Sequence, residues 1–190
     1  MFIRVVDEGL ERLLRAAVPL PEELGDVSFE TPNSGWAAKL SRITINLYLY
    51  DVNRSSHPNR AAVRRVDQNG KGERRPPQPM VELNYLISAW AGSPRDEHQL
   101  LGDVISRIAA VDTLPPEHLS TPLASSVHLA FAEDDRHKAR DVWNGAGGTL
   151  KASFPLQVTV AADSFDWADE PTAVRRIESM AAARESGSRA

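Results

Sequence analysis

The stretch Asn84-Tyr85-Leu86-Ile87-Ser88-Ala89-Trp90-Ala91 is followed, after a short turn, by Glu97-His98-Gln99-Leu100-Leu101-Gly102. The first part predicts a strand over 81–89 whose alternate residues form one apolar face. The second part predicts a helix, because Ser93 suits the N-cap, Pro94 the first helical position and Asp96 an approximate capping box. The segment carries no obvious catalytic group, which favours a part of an assembly over an enzyme.

Two further segments give the clearest patterns outside this unit. Residues 2–17 place apolar side chains at three- and four-residue spacing, which predicts an amphipathic helix. Residues 42–50 alternate aliphatic with polar or aromatic side chains, which predicts a strand with one face toward the core. Tyr48 and Tyr50 lie on its other face, which suits a second helix or a subunit interface.

The remaining elements complete an α/β (α+β) domain. Strands are predicted over 27–30, 126–131 and 153–161, and helices over 94–111, 134–145 and 171–184. The glycine-rich run 145–148 follows a helix and precedes a strand, so it indicates a helix end and not a phosphate loop. We therefore expect one layered domain over 1–162, with a mixed sheet flanked by helices, and a C-terminal acidic segment, helix and flexible tail over 163–190.

A long insertion at 52–79 interrupts the strand pattern. It contains Asn69-Gly70, a pair that favours a two-residue hairpin turn, between the short runs 63–66 and 73–75. Loops of this length in a compact domain are usually functional or disordered. The sequence predicts a projecting β-hairpin arm.

Charge is unevenly distributed over the 190 residues, whose net charge is −4. The insertion 52–79 carries seven Lys or Arg and two acidic residues, which leaves fifteen basic and twenty-four acidic residues elsewhere. A basic arm on an acidic body suggests contact with an acidic partner, such as a neighbouring copy; a solvated loop with incidental charge is the alternative. Absence of cysteine excludes disulfides and fits a cytoplasmic origin, and neither a signal peptide nor a membrane span is predicted.

Catalytic and metal-binding patterns are weak. None of the five histidines has zinc-helix spacing, and the acidic residues do not match a calcium loop. His98, which follows Glu97 in the first turn of a helix, is a candidate for proton transfer, but a structural hydrogen bond is the favoured explanation because isolated catalytic histidines are rare. We predict no cofactor and no metal.

Several segments together resemble one family, the cap or tail-terminator protein of phage-tail-like contractile injection systems, in its N-terminal domain. The similarity covers roughly residues 1–161. The segments that carry it are the first helix, 29–33 with Trp36, 46–52, the insertion ending Arg75-Pro76-Pro77, 83–90, 97–102, Trp143 and the final strand.

The resemblance implies a structural protein without catalytic residues. Members form a six-membered ring at the end distal to the baseplate, where they meet the inner-tube protein and the sheath protein. They assemble in the cytoplasm as part of a particle that is in some cases released. A ring needs head-to-tail contacts, and we expect the interface residues to be Arg64, Arg65, Arg74, Arg75, Tyr48, Tyr50 and Trp167.

Two other functions remain open on the sequence. One is a small enzyme that uses His98 with nearby carboxylates, which predicts a deep pocket around that residue. The other is an adaptor that binds nucleic acid through the arginines of the arm. We expect neither. A structural hydrogen bond is the favoured role of His98, and nucleic-acid binding is disfavoured because the chain is acidic overall and the arm lacks interleaved aromatic residues.

Overall fold

The computed structural model describes residues 2–18, 20, 23, 25–131 and 139–170. Its helices and strands are mixed along the chain, as the sequence predicts. In chain order they are α1 (Phe2–Ala17), β1 (Gly25–Ser28), α2 (Ser34–Ala37), β2 (Ile43–Arg54), β3 (Val63–Val66), β4 (Gly72–Arg75), β5 (Met80–Trp90), α3 (Pro94–Ile108), β6 (His128–Phe131), α4 (Ala139–Ala146), β7 (Ser153–Ala161) and β8 (Ala168–Asp169). A single 3-10 turn covers Pro116–His118.

Five strands form a mixed central sheet in the order β1-β2-β5-β7-β6. β1 runs parallel to β2, and the other three pairings are antiparallel. The mixed sheet and the flanking helices confirm the predicted α/β class.

One face of this sheet carries the hydrophobic core. Helices α1 and α3 cover it, and the alternate residues of β5 predicted to face inward are packed in this cluster. The central members of the cluster are Val6, Leu10, Leu14, Ile45, Leu47, Leu83, Tyr85, Ile87, Val104 and Leu156. Apolar residues recur about every 3.6 residues in the helices and every second residue in the strands. These periods predict which side chains face the core, and the structure places them there.

The cap of α3 follows the prediction. The Ser93 Oγ accepts a hydrogen bond from the Asp96 backbone N–H at 3.3 Å, and Pro94 occupies the first turn. The helix ends at Ile108 and not at Val111, because the last residues form tighter i to i+3 bonds, from Ala110 N to Arg107 O and from Val111 N to Ile108 O.

The insertion forms the predicted hairpin, with β3 and β4 antiparallel and Val63 opposite Arg75. The turn is not the expected two-residue Asn-Gly type. Five residues, 67–71, separate the strands, and only Gly70 has a positive φ, of 81°. Asp67 explains the longer turn, since its Oδ1 accepts from the N–H groups of Asn69 and Lys71.

A second sheet was not anticipated. Strand β8, from the acidic C-terminal segment, pairs antiparallel with β4 and makes the order β3-β4-β8. The described part of 163–190 thus lies along the hairpin, and the domain boundary at 162 stays a prediction. The helix predicted over 171–184, the flexible tail and the first part of the helix predicted over 134–145 lie outside the described residues.

Candidate interaction surface

The hairpin arm, residues 52–79, and the acidic segment, residues 163–170, form one continuous structure. The Ala162 N–H donates to Pro79 O at 2.8 Å, and the Glu170 N–H donates to Gly72 O at 2.8 Å. Between these ends, the buried Gln78 accepts from the Ser164 N–H at 2.9 Å. The acidic segment follows β7 in the chain, and the arm precedes β5. The antiparallel pairing of β7 with β5 therefore continues beyond the central sheet, between the acidic segment and the arm.

Trp167 lies against two of the predicted interface arginines. The guanidinium carbon of Arg65 is 4.0 Å from the centre of the Trp167 ring, and that of Arg75 is 5.9 Å away. The register explains the cluster, because Val63 pairs with Arg75 and Arg65 with Glu73, so all four side chains share one face. Cations over an indole ring gain cation–π attraction, which fixes the tryptophan on this face.

Ion pairs connect the same two segments. Arg64 Nε lies 2.9 Å from Glu170 Oε1, Lys71 pairs with Asp169, and Arg75 pairs with Asp163. Hydrogen bonding to Asp169 raises the pKa of Lys71, which keeps its ammonium charged.

These contacts change the charge balance of the arm. Its seven basic and two acidic residues give +5, and the four carboxylates of the acidic segment bring the total to +1. The hypothesis of nucleic-acid binding depended on an uncompensated excess of positive charge. The acidic partner predicted for the arm is present in the same chain.

Arg74 differs from the other three arginines. It lies opposite Arg64 and Ala168, on the face of the arm away from Trp167, and it is exposed. Within the described part of the chain it forms no ion pair. Val66, also on the arm, is 69% exposed. Both side chains are therefore accessible to a partner.

Tyr48 and Tyr50 belong to the central sheet and not to the arm. Both are half-buried, and Tyr48 lies opposite Leu86 in the β2–β5 pairing. Tyr50 falls at an irregularity between Leu49 and Asp51, where burial and the Asp51 charge raise its pKa. Tyr48 and Tyr50 thus lie in the central sheet. The arginines lie in the second sheet, β3-β4-β8, and Trp167 packs against two of them.

Sequence reasoning missed a cluster of three tryptophans on the second face of the central sheet. Trp36 packs edge to face on Trp90 with ring centres 5.2 Å apart, and Trp143 lies 6.2 Å from Trp90. Trp143 is buried, and its Nε1 donates to Ser153 Oγ at 3.0 Å. Lys151 Nζ lies 4.0 Å from the Trp90 ring centre and pairs with Glu97.

This tryptophan cluster joins residues that the sequence analysis singled out separately. Trp90 and Glu97 come from the opening motif, Trp36 from α2, and Trp143 from α4. The glycine-rich run completes it: Gly147 has a φ of 71° and ends α4, and a Cβ on Gly148 would lie 2.2 Å from Pro32 O. In the opening motif, Trp90 and Glu97 therefore have a packing role.

His98 is exposed on α3. Within the described residues, no group of three His, Cys, Asp or Glu side chains could hold a metal ion. Two open clefts, of about 520 and 610 Å³, share His57 and Gln157 on the sheet face, and His98 lines neither of them. Of the described helices, none has the length and apolar character to cross a membrane.

Comparison with known proteins identifies the fold. The family model for the Pvc16 N-terminal domain matches residues 5–176. Among solved structures, the sheath/tube terminator of the extracellular contractile injection system PVC, in the extended state, is similar with a TM-score of 0.69 and 20% identity, over 98% of this chain and 65% of that one. The tube-terminating cap of the anti-feeding prophage has a TM-score of 0.65 and 20% identity, over 93% of this chain and 60% of that one.

These similarities have a defined extent. No curated protein matches the sequence. At 20% identity the two structures establish a shared fold, and this chain spans less than two thirds of the length of each. The family model covers residues 5–176, which is most of the chain. The chain belongs to the Pvc16 N-terminal domain family.

Proposed function

We propose that this protein is a structural cap of a contractile injection system. Six copies form a ring that ends the inner tube and the sheath at the end distal to the baseplate. The observation that carries the proposal is the family match over residues 5–176, together with a fold shared with two terminators across more than nine tenths of the chain. The partners are other copies of the chain, the tube protein and the sheath protein.

A structural role fits the chemistry of the molecule. The motif residues Trp90 and Glu97 pack against Trp36, Trp143 and Lys151, and His98 is exposed. Neither the tryptophan cluster nor the exposed His98 offers a nucleophile or a general base in an enclosed site. The proposal therefore assigns no catalysis, and assembly takes place in the cytoplasm before any release of the particle.

Loss of the protein tests the capping role. Without a terminator, tube and sheath polymerisation lacks a defined end, so particles from a deletion strain should have uncontrolled or unstable lengths by electron microscopy. A tagged copy should label the end opposite the spike. Wild-type length distributions in the deletion strain, or label at the spike-bearing end, would overturn the proposal.

Deletion of residues 61–75 tests the arm as the subunit contact. None of these residues belongs to the hydrophobic core or to a helix, so the body should still fold and keep the helical part of its far-ultraviolet circular dichroism spectrum. The variant should remain monomeric under conditions in which the intact chain forms rings. Arg140→Ala, on the exposed surface of α4, is the matched control and should still form rings. A deletion variant that elutes as a hexamer would contradict this placement.

A further inference from the structure

Among the described residues, the last residues of the acidic segment, 167–170, contact the hairpin arm and not the body. Trp167 contacts Arg65 and Arg75, Ala168 and Asp169 pair with β4, and Glu170 meets Arg64 and Gly72. These groups recognise an extended acidic strand that carries a tryptophan. Such recognition is strand addition, in which backbone bonds hold the strand and side-chain contacts select it.

The contacts that hold the strand are accessible to solvent. β8 has only two residues, and both are exposed. In the Lys71–Asp169 pair the side chains are 58% and 66% exposed, and in the Arg64–Glu170 pair they are 71% and 31% exposed. Exposed pairs of this kind add little to stability and weaken in salt. The strand can therefore leave β4 without opening the core of the body.

We infer that the arm is an acceptor site for the acidic segment of a second copy, so that residues 163–170 are exchanged between neighbouring subunits. The contacts of residues 167–170 form whichever chain supplies the strand, since none of them involves the body. Extended, residues 162–167 span about 20 Å, so the exchange requires an adjacent arm within about that distance of Ala161. In this structure the chain's own segment occupies the site.

The inference rests on the proposed ring, and it explains a feature that the ring alone leaves open. The charge of the arm is compensated almost completely within the chain, from +5 to +1. An arm compensated in this way has little charge left to attract a neighbour. Exchange between subunits resolves this. When the acidic segment leaves its own arm, the chain presents a basic arm to one neighbour and an acidic strand to another.

Cysteine crosslinking tests whether the acidic segment pairs with its own arm or with the arm of another chain. The chain has no cysteine of its own, so only introduced cysteines can form a disulfide. Arg74 and Ala168 are direct partners between β4 and β8. Full-length Arg74→Cys and Ala168→Cys chains with different tags are mixed, assembled into rings and oxidised. We expect a disulfide between the two tags, with a yield at least about tenfold above that of the control, because ring geometry raises the effective concentration of the two thiols.

The matched control pair lies in the central sheet. Glu82 and Thr159 are direct partners between β5 and β7, and Thr159 is buried, so exchange there would require the core to open. Chains with Glu82→Cys and Thr159→Cys should give almost no disulfide between tags. Equal yields for the two pairs would mean nonspecific oxidation and would overturn the exchange.

Complementary charge reversal provides an independent test. One chain carries Lys71→Asp, and the other carries Asp169→Lys, so each repels its own segment. Alternating rings restore the opposite charges only between chains, and the mixture should form more rings than either variant alone. Equal ring formation by either variant alone and by the mixture would contradict the inference.

The result separates the inference from the proposed function. If the tagged protein labels the distal end but the Arg74→Cys/Ala168→Cys double variant closes only within chains, the cap role stands and the exchange is wrong. If no disulfide between tags forms in rings or in concentrated protein, the exchange is also wrong. Mislocalisation of the intact protein refutes the cap role instead.

Discussion

The central sheet and the arm are both built from paired β-strands, but different forces hold them together. The central sheet buries the cluster of Ile45, Leu47, Leu83, Tyr85 and Ile87 under two helices. The arm is held by ion pairs and by one tryptophan between arginines. Apolar burial is non-directional and insensitive to salt, whereas exposed charge pairs are weak and are screened. The same protein thus combines a rigid body with an attachment that can exchange.

The comparison extends to the second face of the sheet. There the tryptophan cluster covers one end, and two open clefts around His57 and Gln157 lie at the other end. Asn46 lies fully buried in this face, and its side-chain amide has no hydrogen-bond partner among the described residues. The structure offers no physical explanation for that amide.

The largest effect should come from the tryptophan cluster. Trp143→Ala removes a side chain that is 1% exposed and a hydrogen bond to Ser153, and it leaves a cavity between α4 and β7. The free energy of unfolding should fall by about 3–5 kcal/mol, as for other buried large-to-small substitutions. Urea denaturation measures it. A loss below 1 kcal/mol, on the same scale as a surface substitution, would mean that the cluster is not part of the folded body.

A smaller loss is expected where α1 meets β5. The buried Tyr85 hydroxyl donates to Asp7 Oδ1 at 2.7 Å, and burial raises the pKa of Tyr85 so that it stays a donor. Tyr85→Phe should lower the free energy of unfolding by about 1.5 kcal/mol, the lower range for a bond to a charged group. Asp7→Asn keeps an acceptor and serves as the control in the same urea titration. An unchanged denaturation midpoint in Tyr85→Phe would show that this bond adds nothing.

The same pair predicts a dependence on pH. Burial raises the pKa of Asp7 above its ordinary value of 3.8, despite the opposing effect of the Tyr85 hydrogen bond. The folded protein therefore binds the proton more tightly than the unfolded chain, and this contribution is lost as the pH rises from about 4 through the raised pKa. The stability difference between wild type and Asp7→Asn should change across that window. A constant difference from pH 4 to pH 7 would refute the raised pKa.

The smallest global effect should come from the arm. Trp167→Ala removes the contacts with Arg65 and Arg75 but no core residue, so the free energy of unfolding should change by no more than about 0.5 kcal/mol. The local effect is larger: hydrogen exchange at the Glu170 amide, which bonds Gly72 O, should become faster. Raising the salt to about 1 M should have the same local effect in the wild type.

Exchange at the Val158 amide, within β7, is the internal reference for this experiment. It should not respond to Trp167→Ala or to salt, since the central sheet opens only with the core. Equal acceleration of amide exchange at Glu170 and Val158 would show that the arm and the body unfold as one unit.

The sequence predicted much of the body, because its signals are local. Ser93 and Pro94 start α3 as expected, and the alternation along β2 and β5 assigns their core faces. The short helix α2 was not predicted, since four residues carry no periodicity; its signal was Asn33, whose side chain accepts from the Trp36 N–H at 2.8 Å. The turn at 67–71 was predicted in place but not in type, because Asp67 and not the Asn-Gly pair determines it.

The candidate interaction surface was predicted in its residues but not in its connections. Arg64, Arg65, Arg75 and Trp167 were expected to face a neighbour, and the structure joins them within one chain. Their role in a subunit interface stays a prediction, as do those of Arg74, Tyr48 and Tyr50. The Lys151–Glu97 pair beside Trp90 was missed, because nothing in the sequence marks a lysine and a glutamate that lie 54 residues apart as partners.

By itself the sequence determined the elements, the apolar faces and the family, since the periods of helices and strands record which side chains must leave water. Only the tertiary structure decided that the acidic segment lies on the arm. Lys71 and Asp169 are 98 residues apart, and an exposed charge is satisfied almost equally by water, by its own chain or by another. Such a pairing carries no local pattern, so its choice depends on how the folded body brings the two strands to the same edge.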